Sequence, residues 1–104
     1  MKLPITLDPS RNKIAAVGSA LVDLCLLEED DFLAQTGARK GGMTLVDHLF
    51  IQQILKKSKQ QPVIVPGGSA CNTILGAGKL GAPSRFIGKR GNDELGKLFE
   101  DGLR

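Results

Sequence analysis

Gly67-Gly68-Ser69-Ala70-Cys71-Asn72 is the stretch of this chain best suited to holding a ligand. It follows the apolar run Val63-Ile64-Val65, a buried-strand signal closed by Pro66-Gly67-Gly68, and leads into a segment of helical spacing. Two glycines let the backbone approach a ligand with no Cβ in the way. Ser69 and Asn72 add polar groups beside the N–H donors that a helix start leaves unpaired. Ligands of open α/β sheets bind at the carboxyl ends of strands, and Gly18-Ser19 marks a second strand end of this kind. Asp23 comes next, within an otherwise apolar stretch. Spacing leaves two readings of it open. One is an exposed strand residue or local cap. The other is a carboxylate that accepts two hydrogen bonds from adjacent hydroxyls, as on a sugar.

Other patterns carry less chemistry. Gly76-Ala77-Gly78-Lys79-Leu80-Gly81 matches GxGxxG, yet it falls late in a helix rather than in the turn directly after a strand. Small residues for close helix–sheet packing account for it. Gly78-Lys79 is no Walker A lysine, because Thr73 replaces the first glycine and Leu80 the Ser/Thr. Lys56, Lys57 and Lys59 read as a solvated helix end rather than a phosphate patch. Cys25 and Cys71 lack CxxC spacing and read as two buried thiols in a reducing compartment. One histidine and no clustered ligands give a metal site no support.

The elements that must position these residues emerge from patterning. Met1 to Lys13, polar and holding Pro4 and Pro9, reads as an extension before the fold. Ile14-Ala15-Ala16-Val17 suits a buried strand, and Leu21 to Leu27 continues in extended form. Acidic Glu28 to Asp31 opens a short helix stopped by Gly37, and Met43 to Val46 forms a second extended piece. Asp47 caps a helix carrying Phe50, Ile51, Ile54 and Leu55, with lysines in its last turn. A helix begins at Ser69 or Asn72 and runs through Leu80, with Gly81 as its stop. Phe86-Ile87 is a short strand ending at Gly88, and Asn92 or Asp93 caps a last helix with Leu95, Leu98 and Phe99 on one face. Alternating strands and helices predict an α/β fold, a mostly parallel sheet with crossover helices. Three core strands make a small sheet with edges to cover, as at the start of a larger domain.

Length and composition exclude several classes. The 104 residues suffice for one modest domain, with 41% hydrophobic and 24% charged residues in ordinary globular balance. No apolar run approaches the ~18 residues of a membrane span, and Ile14 to Leu27 is broken by Asp23 and lacks a signal-peptide cleavage site. A formal charge of +3 spread along the chain, with no Trp or Tyr, gives nucleic acid little to bind. A cytoplasmic protein is expected.

With those residues in view, the chain resembles a known family. Gly67-Gly68-Ser69-Ala70-Cys71-Asn72, then Leu80-Gly81, then Phe86-Ile87-Gly88-Lys89-Arg90-Gly91-Asn92-Asp93-Glu94-Leu95-Gly96, is similar to the N-terminal signature of the ribokinase-like (PfkB) carbohydrate kinases. Gly18-Ser19-Ala20-Leu21-Val22-Asp23 and Lys40-Gly41-Gly42-Met43-Thr44-Leu45-Val46-Asp47 resemble the adenosine-kinase-like branch. The likeness covers Ile14 to Arg104 in order and spacing. Ile74 departs from it, standing where a small residue is usual, as does Ser19, where nucleoside-preferring members often have Asn.

The resemblance implies a ribokinase-like α/β domain over residues 14–104 with a small β lid, its strands at about 20–28 and 42–47. Such enzymes transfer the γ-phosphate of ATP, with Mg²⁺, to a substrate hydroxymethyl group. An adenosine-like nucleoside is the favoured substrate, with ribose or fructose next. Asp23 matches the family's aspartate that holds sugar hydroxyls. Gly67, Gly68 and Asn72 match its substrate-binding positions, beside Ser69, while Ser19, Met43 and Leu45 match lid or pocket positions. The Lys89–Gly96 loop is given no chemistry, since a tight turn and helix cap account for it. The family's catalytic Asp, within a Gly-Ala-Gly-Asp motif, and its ATP and Mg²⁺ sites have no counterpart in these residues. The expectation is therefore an N-terminal portion, natural or artificial, that is inactive by itself. The alternative is a non-catalytic binding module, or one that forms a homodimer through its lid strands.

Overall fold

The computed structural model describes Ser10 and residues 12–104. The expected extension at 1–13 thus falls almost wholly outside the described residues. Eight elements occur in order: β1 (Ile14–Val17), β2 (Leu21–Cys25), α1 (Asp30–Gln35), α2 (His48–Lys57), β3 (Val63–Gly67), α3 (Ser69–Lys79), β4 (Ser84–Ile87) and α4 (Glu94–Gly102). They divide into two compact units. The first takes the described residues up to Asp23 together with Val65–Arg104, and the second is Leu24–Ile64.

In the first unit β1 and β4 pair in parallel, Ile14 beside Ser84 through Val17 beside Ile87. Helix α3, which leads from β3 into β4, packs on both β1 and β4. Cys71 is fully buried and Ile74 nearly so, and Phe99 of α4 joins them at 3% exposure. Phe99 meets Phe86 edge to face, ring centres 5.4 Å apart, the arrangement aromatic quadrupoles favour. Asp93 caps α4 by accepting a hydrogen bond from the Gly96 N–H at 2.8 Å. The GxGxxG pattern occupies the later turns of α3 and its exit: Gly81, at φ 94°, terminates the helix, whereas Gly76 and Gly78 are exposed and do not serve the close packing expected of them, since a Cβ at 76 would meet nothing within 4 Å.

The second unit is built from local devices. The Asp47 carboxylate accepts the Phe50 N–H at 2.8 Å and starts α2, while Lys56 and Lys57 sit in its last turn. Helix α1 ends at Gly37, whose φ is 75°. Lys40 pairs with Asp30 at 2.9 Å, and the Ser58 hydroxyl bonds to Glu28.

Three further expectations are corrected. Residues 42–47 form no strand, and the extended stretch after Ala20 is a strand only over Leu21–Cys25. Among the described residues no strand pairs with 42–47, and an unpaired segment gains no ladder hydrogen bonds. The three core strands do not form one ladder: β1 pairs with β4, and β3 pairs with β2. Cys25 is exposed rather than buried, because alternation along β2 turns Leu21, Asp23 and Cys25 to one face.

Candidate substrate site

Six of the expected site residues come from three neighbouring pieces of the first unit. Ser19 lies just after the end of β1, Asp23 sits on the exposed face of β2, and Gly67 to Asn72 carry the end of β3 into α3. The carboxylate of Asp23 lies directly over the Cα of Gly67. A Cβ built on Gly67 would collide with it, standing 2.6 Å from Cγ and 2.8 Å from Oδ1. The absence of a side chain at 67 thus leaves room for the Asp23 carboxylate to lie against the strand end.

Gly68 is the N-cap of α3, with φ 92° and ψ 149°, a conformation that side chains rarely adopt. A Cβ there would also stand 3.3 Å from both Leu21 Cδ1 and the Ser19 carbonyl oxygen. No side chain caps α3. Helix geometry leaves its first N–H groups without intrahelical partners, with the positive end of the dipole alongside. The Asn72 N–H donates to the Gly68 carbonyl at 2.9 Å, and the Thr73 hydroxyl donates to the Ser69 carbonyl at 2.8 Å. The side chains of Ser19, Ser69 and Asn72 are exposed. Below the surface, burial pushes the Cys71 thiol above its ordinary range, and the negative charge of Asp23 adds to the shift. Cys71 is thus a neutral packing group rather than a nucleophile.

Chemically, this arrangement offers one carboxylate acceptor, an amide, two hydroxyls and unpaired backbone donors around two residues that lack side chains. It suits a neutral polyhydroxylated ligand better than an anion, because the carboxylate would repel a phosphate at the helix start. Met43 and Leu45 are placed differently. They belong to the second unit, lie in irregular backbone and are essentially fully exposed, at 99% and 100%. Leu21 was missed as a neighbour of Gly68. Its only sequence signal was the two-residue spacing to Asp23, which puts both on one strand face.

Comparison with known proteins gives the class first. Two solved structures superpose with a TM-score of 0.77 over 90% of this chain. One is a probable sugar kinase from Rhizobium etli CFN 42, 30% identical, and the other is adenosine kinase from Sinorhizobium meliloti, 31% identical. The fold is that of the ribokinase-like α/β kinases. A model of the pfkB family carbohydrate kinases matches residues 11–104, and the chain belongs to that family. Probable fructokinase-7 of Arabidopsis thaliana is 49% identical over 39 residues, which are 38% of this chain and 11% of that protein. The chain spans 28% of each of the two solved structures.

Proposed function

We propose that this chain is the acceptor-binding region of an ATP-dependent sugar or nucleoside kinase. The observation that carries the reading is the Asp23 carboxylate laid over Gly67 beside the uncapped start of α3. In this reading Asp23 accepts hydrogen bonds from two adjacent hydroxyls of the substrate sugar. Asn72 and Ser69 bond to its other oxygens, and Gly67 and Gly68 let the ring lie against the backbone. Ser19 closes the site from the end of β1. Two charge-assisted hydrogen bonds at roughly 1.5–3 kcal/mol each fix the orientation of the sugar. Orientation is the larger part of phosphoryl-transfer catalysis, because the protein does little covalent chemistry there.

The three similar proteins are named for a sugar, fructose and adenosine. A ring bearing neighbouring hydroxyls is common to fructose and adenosine, and Asp23 is suited to that feature. The adenosine-like preference rested on the Met43 segment, whose exposed side chains and irregular backbone add nothing to it. The substrate class is therefore proposed as a furanose-type sugar, free or within a nucleoside. ATP supplies the transferred phosphoryl group. Mg²⁺ would neutralise its charge, but among the described residues no three His, Cys, Asp or Glu side chains gather to hold a metal ion. The role assigned to these residues is accordingly to bind and orient the acceptor.

Calorimetric titration of the chain with fructose, ribose and adenosine tests the reading. Binding of at least one of them is expected, with no phosphorylated product when ATP and Mg²⁺ are added. Asp23→Ala should weaken that binding by roughly 10²–10⁴-fold, the loss of both charge-assisted bonds, while leaving the far-ultraviolet dichroism unchanged. Unaltered affinity in that variant would remove Asp23 from the site.

A further inference from the structure

The residue just before the two site glycines is held by the far end of the fold. Pro66 precedes Gly67 in β3, and the last residue of α4, Gly102, lies against the Pro66 ring. A Cβ built on Gly102 would collide with Pro66 Cγ and would stand 2.9 Å from Cδ and 3.8 Å from Cβ. A proline ring is rigid and cannot swing aside as a long side chain can. Either Pro66 or α4 would have to move.

The end of α4 is itself firmly placed. Phe99 is buried against Phe86. In the next position Glu100 accepts from Arg90 Nε at 2.7 Å and from Arg104 Nη2 at 2.9 Å. These two guanidinium groups hold the Glu100 carboxyl below its usual range. The end of α4 is thus tied to the rest of the unit through Phe99 on Phe86 and Glu100 on Arg90 when it reaches Pro66. At the other end of this short chain of contacts, Gly67 carries the Asp23 carboxylate on its Cα, and Gly68 adopts the positive φ that starts α3.

We infer that the Gly102–Pro66 contact is a buttress that sets the position of the Gly67–Gly68 backbone beneath Asp23, making Gly102 a positioning residue for the proposed acceptor site. This deepens the reading above and rests on it for the ligand. The backbone torsion of Gly102 does not demand glycine, since its φ is not positive. Within a helix, alanine is intrinsically favoured over glycine. Without the contact, then, Gly102→Ala should stabilise the chain. With it, the same change displaces Pro66 and, through it, the Gly67–Gly68 backbone.

The experiment compares the full chain with Gly102→Ala, Pro66→Ala and the double variant, using ¹⁵N-labelled protein. Gly102→Ala is expected to lower the Tm and to move the amide resonances of Gly67, Gly68 and Asp23, residues remote from it in sequence. In the double variant alanine at 66 lacks the ring atoms that collide, so those resonances return to their Pro66→Ala positions. If Gly102→Ala alone does not fold, recovery of folding in the double variant is the same result. Fructose and adenosine titrations read the functional side. Affinity should fall roughly tenfold in Gly102→Ala, as for a site displaced by a fraction of an ångström, and recover in the double variant. A raised Tm with unmoved Gly67 and Gly68 resonances overturns the buttress. Absence of any sugar binding by the unaltered chain overturns the acceptor-site reading and leaves the resonances to decide the contact.

Discussion

The two units of this chain are held together by different physics. Every described residue that is buried, namely Gly67, Cys71, Ile74, Gly96 and Phe99, lies in the first unit, and none lies in Leu24–Ile64. Helices α1 and α2 contribute no buried residue. The contacts that order them include a cap, a helix stop, an exposed ion pair and a hydroxyl–carboxylate hydrogen bond. Glycine shows the contrast in miniature. At 102 the rigid Pro66 ring occupies the space of a side chain and at 67 the Asp23 carboxylate stands there, whereas Gly37 and Gly41 face open space and serve through φ values of 75° and 73°. Close packing makes the first unit the place where a site can be held to a fraction of an ångström. The second unit is built to open at lower cost.

The largest effect that would break this comparison is expected at Phe99. Phe99→Ala should cost about 3–5 kcal/mol, a large part of the stability of so small a chain, and urea denaturation would read it. A loss below about 1 kcal/mol would mean the first unit has no tightly packed core. In the second unit Asp47→Ala should cost only about 1 kcal/mol, the worth of an N-cap, and loosen the amide protons of α2 selectively in hydrogen exchange. Loosening that reached α3 and β1 equally would erase the distinction between the units.

The smallest effect sharpens the comparison through pH. The Glu100 carboxyl, bonded to Arg90 and Arg104, titrates below its ordinary value of 4.5. Because its folded-state pKa is depressed, its stabilisation is present above 4.5 and is lost as pH falls through the lower folded value. Thermal midpoints measured across the acid range should therefore fall less steeply in Glu100→Gln than in the unaltered chain. Equal slopes would show that the paired arginines do not tie down the end of α4.

Much of the local architecture was legible in the sequence. Asp47 and Asp93 act as caps, Gly37 and Gly81 as stops, and the apolar runs at Ile14 and Val63 as strands, because each signal works within a few residues. The expected strand at 42–47 failed for the opposite reason. A strand is completed by a partner remote in sequence, and extended-looking composition does not supply one. Cys25 was misread because an apolar neighbourhood in sequence says nothing about which strand face a residue takes. The place of Gly67, Gly68 and Asn72 at a strand end was legible. For Asp23 spacing left two readings open, and its place on the exposed face of β2 over Gly67 is compatible with both.

By itself the sequence determined the kinds of element, their order and the motifs that mark the chain as a member of the pfkB carbohydrate kinase family, since capping, periodicity and motif spacing are short-range properties. Only the tertiary structure decided that Asp23 occupies the space above Gly67 and that Pro66 leans on Gly102. Those pairings join residues far apart along the chain. They arise from how packed elements exclude one another's atoms, which no local pattern of residue types encodes.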